Sequence, residues 1–453
     1  MKDLTVGHEA KVLVFFSLPM LLGNVFQQMY NMVDSMVVGH FVGKQALAAV
    51  GQSFPVLFVS VALMMGFGMA GNILVAQYFG AKQYDKVRAV IDTTVSVTMV
   101  FAAVMTGIGF FAAPLILSVM QTPPDVMDKA VLYLRIIFTG SIASFGYNMV
   151  SAVQRGLGDS RTPLYALIIS TLLNIALDLL FVVVFGWGIA GAAVATVVAQ
   201  GVSLGWTLLY LKRKNPEFAI SLLRFGFDRS IFFDIFRMGL PSGIQQGLVG
   251  AGLMTVTSVV NRFGTNPAAA FSVTGKLDSF AIMPAMNISM ALSSFTGQNL
   301  GAHRIDRVRR ALAYGLLITL GVTCSIALLL FFRGDYLIRL FSRDPEVVRI
   351  GFEYLRIVSI AYIAQSIMFT FSGVIRGSGS MIFPMLMTVL SIWIIRIPLA
   401  FCLSSVRGTS GIWWAIVIGF LVGMTGTVLY YFFGSWQKGL FRFADCASER
   451  SSV

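Results

Sequence analysis

The chain has 453 residues, 57% of them hydrophobic and only 12% charged. A water-soluble domain carries roughly 25% charged residues to cover its surface, so a soluble protein is excluded. The net charge of +13 would suit a nucleic-acid binder, but its distribution along the chain argues against one.

Apolar runs of about 20 residues or more, each able to cross ~30 Å of hydrocarbon, predict twelve spanning helices. In chain order they cover 12–38, 45–78, 88–115, 127–155, 162–185 and 189–212, then 232–261, 268–300, 307–332, 346–376, 382–405 and 411–434. Several are longer than the bilayer needs, so they must tilt, kink or protrude. Pro19, Pro241, Pro284 and Pro398 lie inside spans and are candidate kinks. The first apolar stretch runs too far, and lacks the small-residue cleavage site, for a signal peptide. Placing both termini in the cytoplasm puts 21 of the 33 Lys and Arg residues on the inner side. That is the positive-inside bias, and it predicts a multi-pass protein of the cell (plasma) membrane that does not bind nucleic acid. Cys324, Cys402 and Cys446 form no spaced pair and no metal pattern.

The chain is written twice. A shift of 221 carries Gln154-Arg155-Gly156-Leu157-Gly158 onto Ile375-Arg376-Gly377-Ser378-Gly379, and Tyr133-Leu134-Arg135-Ile136 onto Tyr354-Leu355-Arg356-Ile357. It also carries Gln77-Tyr78-Phe79-Gly80-Ala81-Lys82 onto Gln298-Asn299-Leu300-Gly301-Ala302-His303, and a shift of 222 carries Leu18-Pro19 onto Leu240-Pro241. Six spans per copy is an even number, so each copy begins and ends inside, and the copies are parallel repeats. The expected fold is an all-α polytopic membrane protein with two six-helix lobes related by a pseudo-two-fold axis along the membrane normal. The expected boundaries are a first lobe over 1–214, a cytoplasmic linker over 215–231 and a second lobe over 232–453 with a short tail. The glycines of the repeated inner loops are expected to supply tight turns, and those of 64–71 close helix packing.

A charge in hydrocarbon costs several kcal/mol and needs a reason. Asp34 lies roughly 6 Å from the outer end of span one, and Asp178 of span five and Thr196 of span six each roughly 10 Å deep. Asn174 precedes Asp178 by one helical turn and shares its face. Two carboxylates, an amide oxygen and a hydroxyl in one layer suit a small hard cation such as Na⁺. Without it, two nearby carboxylates cannot both stay charged cheaply, so the pair is expected to hold a proton. The bland alternative is that Asn174 and Thr196 bond between helices and Asp34 is solvated. At the equivalent second-half positions stand Val256, Ile395 and Leu399, while Arg396, Lys276 and Asp278 have no counterparts. Arg396 either pairs within its own lobe or takes part in the transport cycle. Glu353 and Arg356, three apart, are expected to pair on one face.

Met29, Met32 and Met36 run down one face of span one, and Met283, Met286 and Met290 down span eight. Such a stripe is either ordinary packing or a flexible wall for lipophilic cations. Gln27, Gln28, Tyr30 and Asn31 on span one and Asn148 on span four turn those helices toward the interior. The candidate cavity residues are Gln27, Tyr30, Asn31, Met32, Asn148, Met283 and Met286.

Leu18-Pro19 with Gln27, Asn31 and Asp34, Asn174 with Asp178, and Gly188-Ile189-Ala190-Gly191-Ala192-Ala193 leading to Thr196 resemble the multidrug and toxic compound extrusion (MATE) transporters over nearly the full length. The repeated Arg-Gly-x-Gly turns belong to the same resemblance. It implies two six-helix lobes, alternating access, and export of drugs or cationic amphiphiles driven by inward H⁺ or Na⁺, with no resident cofactor. The DinF-like branch is nearest, and its coupling residues match Asp34, Asn174, Asp178 and Thr196; the residue matching Pro19 is linked there to bending of span one. The NorM-like branch uses acids in spans seven and ten of the second lobe. Here those spans hold only Asp234 near an inner end and Glu353 near an outer end, so a second-lobe cation site of that kind is not expected. The partners implied are small-molecule drugs, H⁺ or Na⁺ and membrane lipids, for a monomer. A flippase of lipid-linked precursors from the same superfamily is the runner-up. A membrane enzyme finds no support, since no His-rich metal pattern or Gly-x-Ser-x-Gly elbow is present.

Overall fold

The computed structural model describes residues 3–220 and 226–437; Cys446, most of the expected C-terminal tail and part of the expected linker lie outside them. Among the described residues the chain is helical with no strand, as a backbone immersed in hydrocarbon must be. The helices are α1 (Glu9–Val37), α2 (Lys44–Gly80), α3 (Tyr84–Val119), α4 (Pro124–Thr139), α5 (Ser141–Gly156), α6 (Arg161–Asp178) and α7 (Gly188–Lys214). The second copy supplies α8 (Arg229–Asn261), α9 (Thr265–Gly301), α10 (Ile305–Arg339), α11 (Pro345–Gly377), α12 (Ile382–Thr388), α13 (Ile397–Arg407) and α14 (Thr409–Phe433).

Ten helical stretches are long and apolar enough to cross a membrane, and the pair α4 and α5, bent by 50°, makes an eleventh. The twelfth expected span, 268–300, is α9. It has the length but carries Lys276, Asp278, Asn287, Gln298 and Asn299, and its second half is almost wholly buried inside the protein. The expected span 127–155 is broken at Gly140, where a Cβ would stand 2.4 Å from Val197. Its copy, α11, runs unbroken with Ala361 at the matching position.

The chain divides into two compact units. Unit 1 holds Leu18–Gly243 with the first three residues, and unit 2 holds Leu4–Ser17 with Ile244–Val453. The divisions fall inside α1 and α8, next to Pro19 and Pro241, and not in the expected 215–231 linker. Specific contacts explain this. Within unit 2, the Leu4 N–H donates to Gln298 at 2.9 Å, and Arg307 donates to the Gly7 carbonyl at 2.8 Å. Glu9 lies 3.3 Å from Arg307 and 3.1 Å from Arg310. Within unit 1, the start of α8 packs backbone to backbone on α2, for a Cβ at Gly66 would meet the Gly239 carbonyl at 2.3 Å and the Gly243 nitrogen at 2.5 Å.

In unit 1, α2 packs on α3, α4 and α5; in unit 2, α11 is central, against α9, α10 and α14. The duplication is visible contact by contact. A Cβ at Gly156 would lie 2.6 Å from the Asn72 carbonyl, and one at Gly377 2.6 Å from that of Ser293. Arg135 lies over Phe110 at 5.1 Å, and Arg356 over Phe331 at 5.0 Å. The expected pairing of Glu353 with Arg356 is therefore not made; Glu353 accepts instead from Ser410. The inner turns also differ from expectation. Their left-handed residues are Lys82 and His303, both at φ 57°, and not Gly80 or Gly301. In the Arg-Gly-x-Gly turns it is Gly158 and Gly379, at φ 81° and 93°, that are left-handed. The first glycines give close approach.

Gly66→Ala is expected to destabilise the protein despite the roughly 1 kcal/mol that alanine gains over glycine in a helix. A clash with backbone has no flexible side chain to absorb it, and overpacking of this kind costs about 1–3 kcal/mol or more. Gly51→Ala, in the same helix with open space around it, should be neutral or stabilising. Thermal unfolding of the detergent-purified variants measures the contrast.

Candidate functional site

Two helices of unit 1 each offer a pair of polar residues one turn apart: Tyr30 and Asp34 on α1, Asn174 and Asp178 on α6. α7 brings Thr196, whose Oγ1 lies 3.1 Å from the Tyr30 hydroxyl. The carboxyl groups of Asp34 and Asp178 lie close enough to interact electrostatically. Asn174 and Asp178 are both 0% exposed. All four residues expected at the cation site therefore come together, with Tyr30 as a fifth member.

The local structure has clear causes. Asp178 is the last residue of α6, and Leu179–Val184 continues as a π-helical stretch. A π turn carries one residue more per turn and re-aims the side chains beside it, which is why such turns recur at functional positions. α7 starts with the small residues Gly188, Ala190, Gly191, Ala192 and Ala193. A Cβ at Gly191 would lie 3.1 Å from the Phe181 carbonyl, so α7 approaches the π stretch backbone to backbone. Val37, Val38, Tyr133, Leu134, Phe138, Val182, Ile189, Ala192 and Ala193 form a buried apolar cluster, with Val33 packed against it. Polar groups facing one another beside such a cluster are deprived of water.

Asp34 Oδ1, both polar atoms of Asn174 and both carboxylate oxygens of Asp178 are buried with no hydrogen-bond partner. An unmet buried polar atom costs about 1–3 kcal/mol, more when charged. Five such atoms stand on Asp34, Asn174 and Asp178 of unit 1. Two carboxylates, an amide oxygen and two hydroxyls are hard oxygen donors. A proton between the carboxyls, or a small cation among the oxygens, meets the deficit.

Tyr133 of α4 was not singled out for this site by the sequence. It is buried and within electrostatic reach of Asp34, Tyr30 and Asp178. Its only signal in the chain is its place in the repeated Tyr-Leu-Arg-Ile. The remaining candidates are spread more widely. Gln27 Nε2 lies 3.5 Å from Asn31 Oδ1, along α1 below Asp34. Met32 is 54% exposed, and Asn148 is exposed on α5, its amide donating to the Ser144 carbonyl at 2.8 Å. On α9 of unit 2, Met286 is 41% exposed whereas Met283 is buried. Pro19 lies inside the continuous α1. Arg396 ends a second π-helical stretch, Val389–Arg396, and lies 4.2 Å over the Phe420 ring.

A family model named MatE matches this chain twice, over residues 19–180 and 241–402. The chain belongs to the MatE family. The two matches start at Pro19 and Pro241, so the family unit is the repeat itself. This MATE protein is 32% identical over 436 residues to the probable multidrug resistance protein YpnP of Bacillus subtilis (strain 168), covering 96% of this chain and 97% of the relative. It is 27% identical to the probable multidrug resistance protein NorM of Thermotoga maritima over 94% of this chain and 93% of the relative. A crystal structure of a MATE in the bent conformation has the same fold, with a TM-score of 0.87 at 24% identity, covering 99% of this chain and 98% of that one. The protein is thus a multi-pass membrane transporter and not an enzyme.

Tyr30→Phe and Thr196→Val remove the same hydrogen bond from opposite sides. Each should cost about 1 kcal/mol, and the double variant should cost clearly less than the sum of the singles, as expected for directly coupled groups. A thermal double-mutant cycle on purified protein checks this.

Proposed function

We propose that this MATE protein is a secondary active multidrug exporter, moving lipophilic and cationic compounds outward in antiport with H⁺ or Na⁺ by alternating access. The observation that carries the reading is the cluster of unpartnered buried oxygens at Asp34, Asn174 and Asp178. A transporter needs a site whose occupancy changes during the cycle, and a pocket that is satisfied only when it holds a cation is such a site. Thr196 and Tyr30 complete the donor set, and the ion is cargo in this reading, so no resident cofactor is required. Both relatives are named for multidrug resistance, which favours drug export over the flipping of lipid-linked precursors.

The exposed thioether of Met32 and the amides of Asn31 and Asn148 supply a wall of the drug path within unit 1. Deformable thioethers suit varied substrates better than a rigid shape would. Pro19 deprives α1 of one backbone donor, so bending there is less costly than elsewhere. The protein sits in the plasma membrane with both termini in the cytoplasm, working as a monomer among lipids. The expected division at a 215–231 linker is retained only as the connection between the two copies.

The test is efflux of a cationic dye such as ethidium from proteoliposomes under an imposed pH or Na⁺ gradient. Asp34→Asn and Asp178→Asn should each abolish gradient-driven efflux, a loss of at least tenfold, while leaving the helical circular-dichroism signal intact. Competition between H⁺ and Na⁺ at one site should appear as weaker Na⁺ stimulation at lower pH. Full coupled efflux in both variants would overturn the site.

A further inference from the structure

Unit 2 has its own buried acid. Asp278, on α9, accepts a hydrogen bond on each carboxylate oxygen, from the Tyr362 hydroxyl on Oδ1 and the Tyr354 hydroxyl on Oδ2. The tyrosines are eight residues apart on α11, about two turns, so they share a face, and they are only 3% and 2% exposed. Tyr354 is fixed by its neighbours: its ring meets Trp413 edge-on at 4.8 Å and Phe271 at 5.9 Å. Tyr354 is therefore held in place by its ring contacts.

Arg396, at the end of unit 2's π-helical stretch, lies over the Phe420 ring. Its Nε and Nη2 are buried and have no hydrogen-bond partner. Of the other charges on these helices, Lys276 lies over the Phe341 ring at 5.4 Å, Glu353 accepts from Ser410, and Arg333 of α10 lies over Tyr336 at 5.5 Å.

The internal repeat strengthens the reading. Tyr354 is the counterpart of Tyr133, the tyrosine that faces Asp34 and Asp178 in unit 1. The matching positions for Asp278, Tyr362 and Arg396 are Leu57, Ser141 and Ile175. So the shared scaffold tyrosine faces a carboxylate in both units, but the carboxylate comes from a different helix in each. Unit 2 adds a second phenol and a guanidinium that unit 1 lacks.

We propose that Asp278, Tyr354 and Tyr362 form a second proton-binding site, in unit 2, separate from the Asp34 and Asp178 pair. In one state Asp278 is an anion with a phenol donating to each oxygen. In the other a solvent proton sits on one Asp278 oxygen, and the phenol at that oxygen donates more weakly. Asp278 keeps partial exposure, so protons can reach it. The inference does not rest on the export reading, because proton binding is measured without transport.

The experiment uses the full chain in detergent, carrying Asp34→Asn and Asp178→Asn so that the first site is silent. The carboxylic C=O infrared band is followed across pH. A band that titrates in this background and vanishes on adding Asp278→Asn is the expected result. Tyr354→Phe and Tyr362→Phe keep the carboxyl group and should each shift the midpoint toward higher pH by about 1–2 units, because one hydrogen bond to the ionised form is worth about 1.5–3 kcal/mol. They decide the matter if Asp278→Asn does not fold. No titrating band in the background variant, a band that survives Asp278→Asn, or midpoints unmoved by both phenylalanine variants would overturn the proposal. Loss of dye efflux in that same background concerns the Asp34 and Asp178 site alone, so the two readings fail separately.

Discussion

A carboxyl group taken out of water must be met by a proton, a cation or hydrogen-bond donors, and each unit of this protein is built around one answer to that demand. In unit 1 the carboxyls of Asp34 and Asp178 are left facing each other and Asn174, with Tyr30 occupied by Thr196. In unit 2 Asp278 receives two phenols. The first arrangement leaves carboxylate oxygens without donors; the second supplies a phenol to each oxygen.

The common scaffold explains how such different interiors are tolerated. The inner turns keep Lys82 and His303 in the left-handed region. Gly156 and Gly377 allow close helix crossings at matched positions. Arg135 and Arg356 each lie on the matched phenylalanine. These contacts fix helix positions in both copies. The copies depart at a break at Gly140 in one only, and at π-helical stretches that do not correspond, over Val38–Val42, Leu179–Val184 and Val389–Arg396.

Much of this was legible in the chain because hydrophobic run length and charge asymmetry are one-dimensional signals. The spans, the duplication and the layer shared by Asp34, Asn174, Asp178 and Thr196 follow from counting residues along helices of known rise. What resisted was lateral. Depth says that Asp278 is in the membrane but not that Tyr354 and Tyr362 reach it from another helix. Spacing allowed Glu353 to pair with Arg356, yet Ser410 of α14 and the Phe331 ring took them instead. α9 shows the same limit from the other side: its polarity weakens the membrane signal because it hides its second half among neighbours, a fact no window along the sequence contains.

One feature of the division between units bears on how such a chain arose. Residues 4–17 are counted with the second copy, and the first half of α8, up to Gly243, with the first. Each copy thus lends the opening of its first helix to the other. That is the pattern of a domain-swapped dimer whose two subunits have been fused head to tail. An ancestor of half the present length would have been incomplete alone, its leading segment belonging in a partner. With both copies in one chain the exchange is intramolecular, and a residue changed in one half is not changed in the other, so the two interiors can differ as they do.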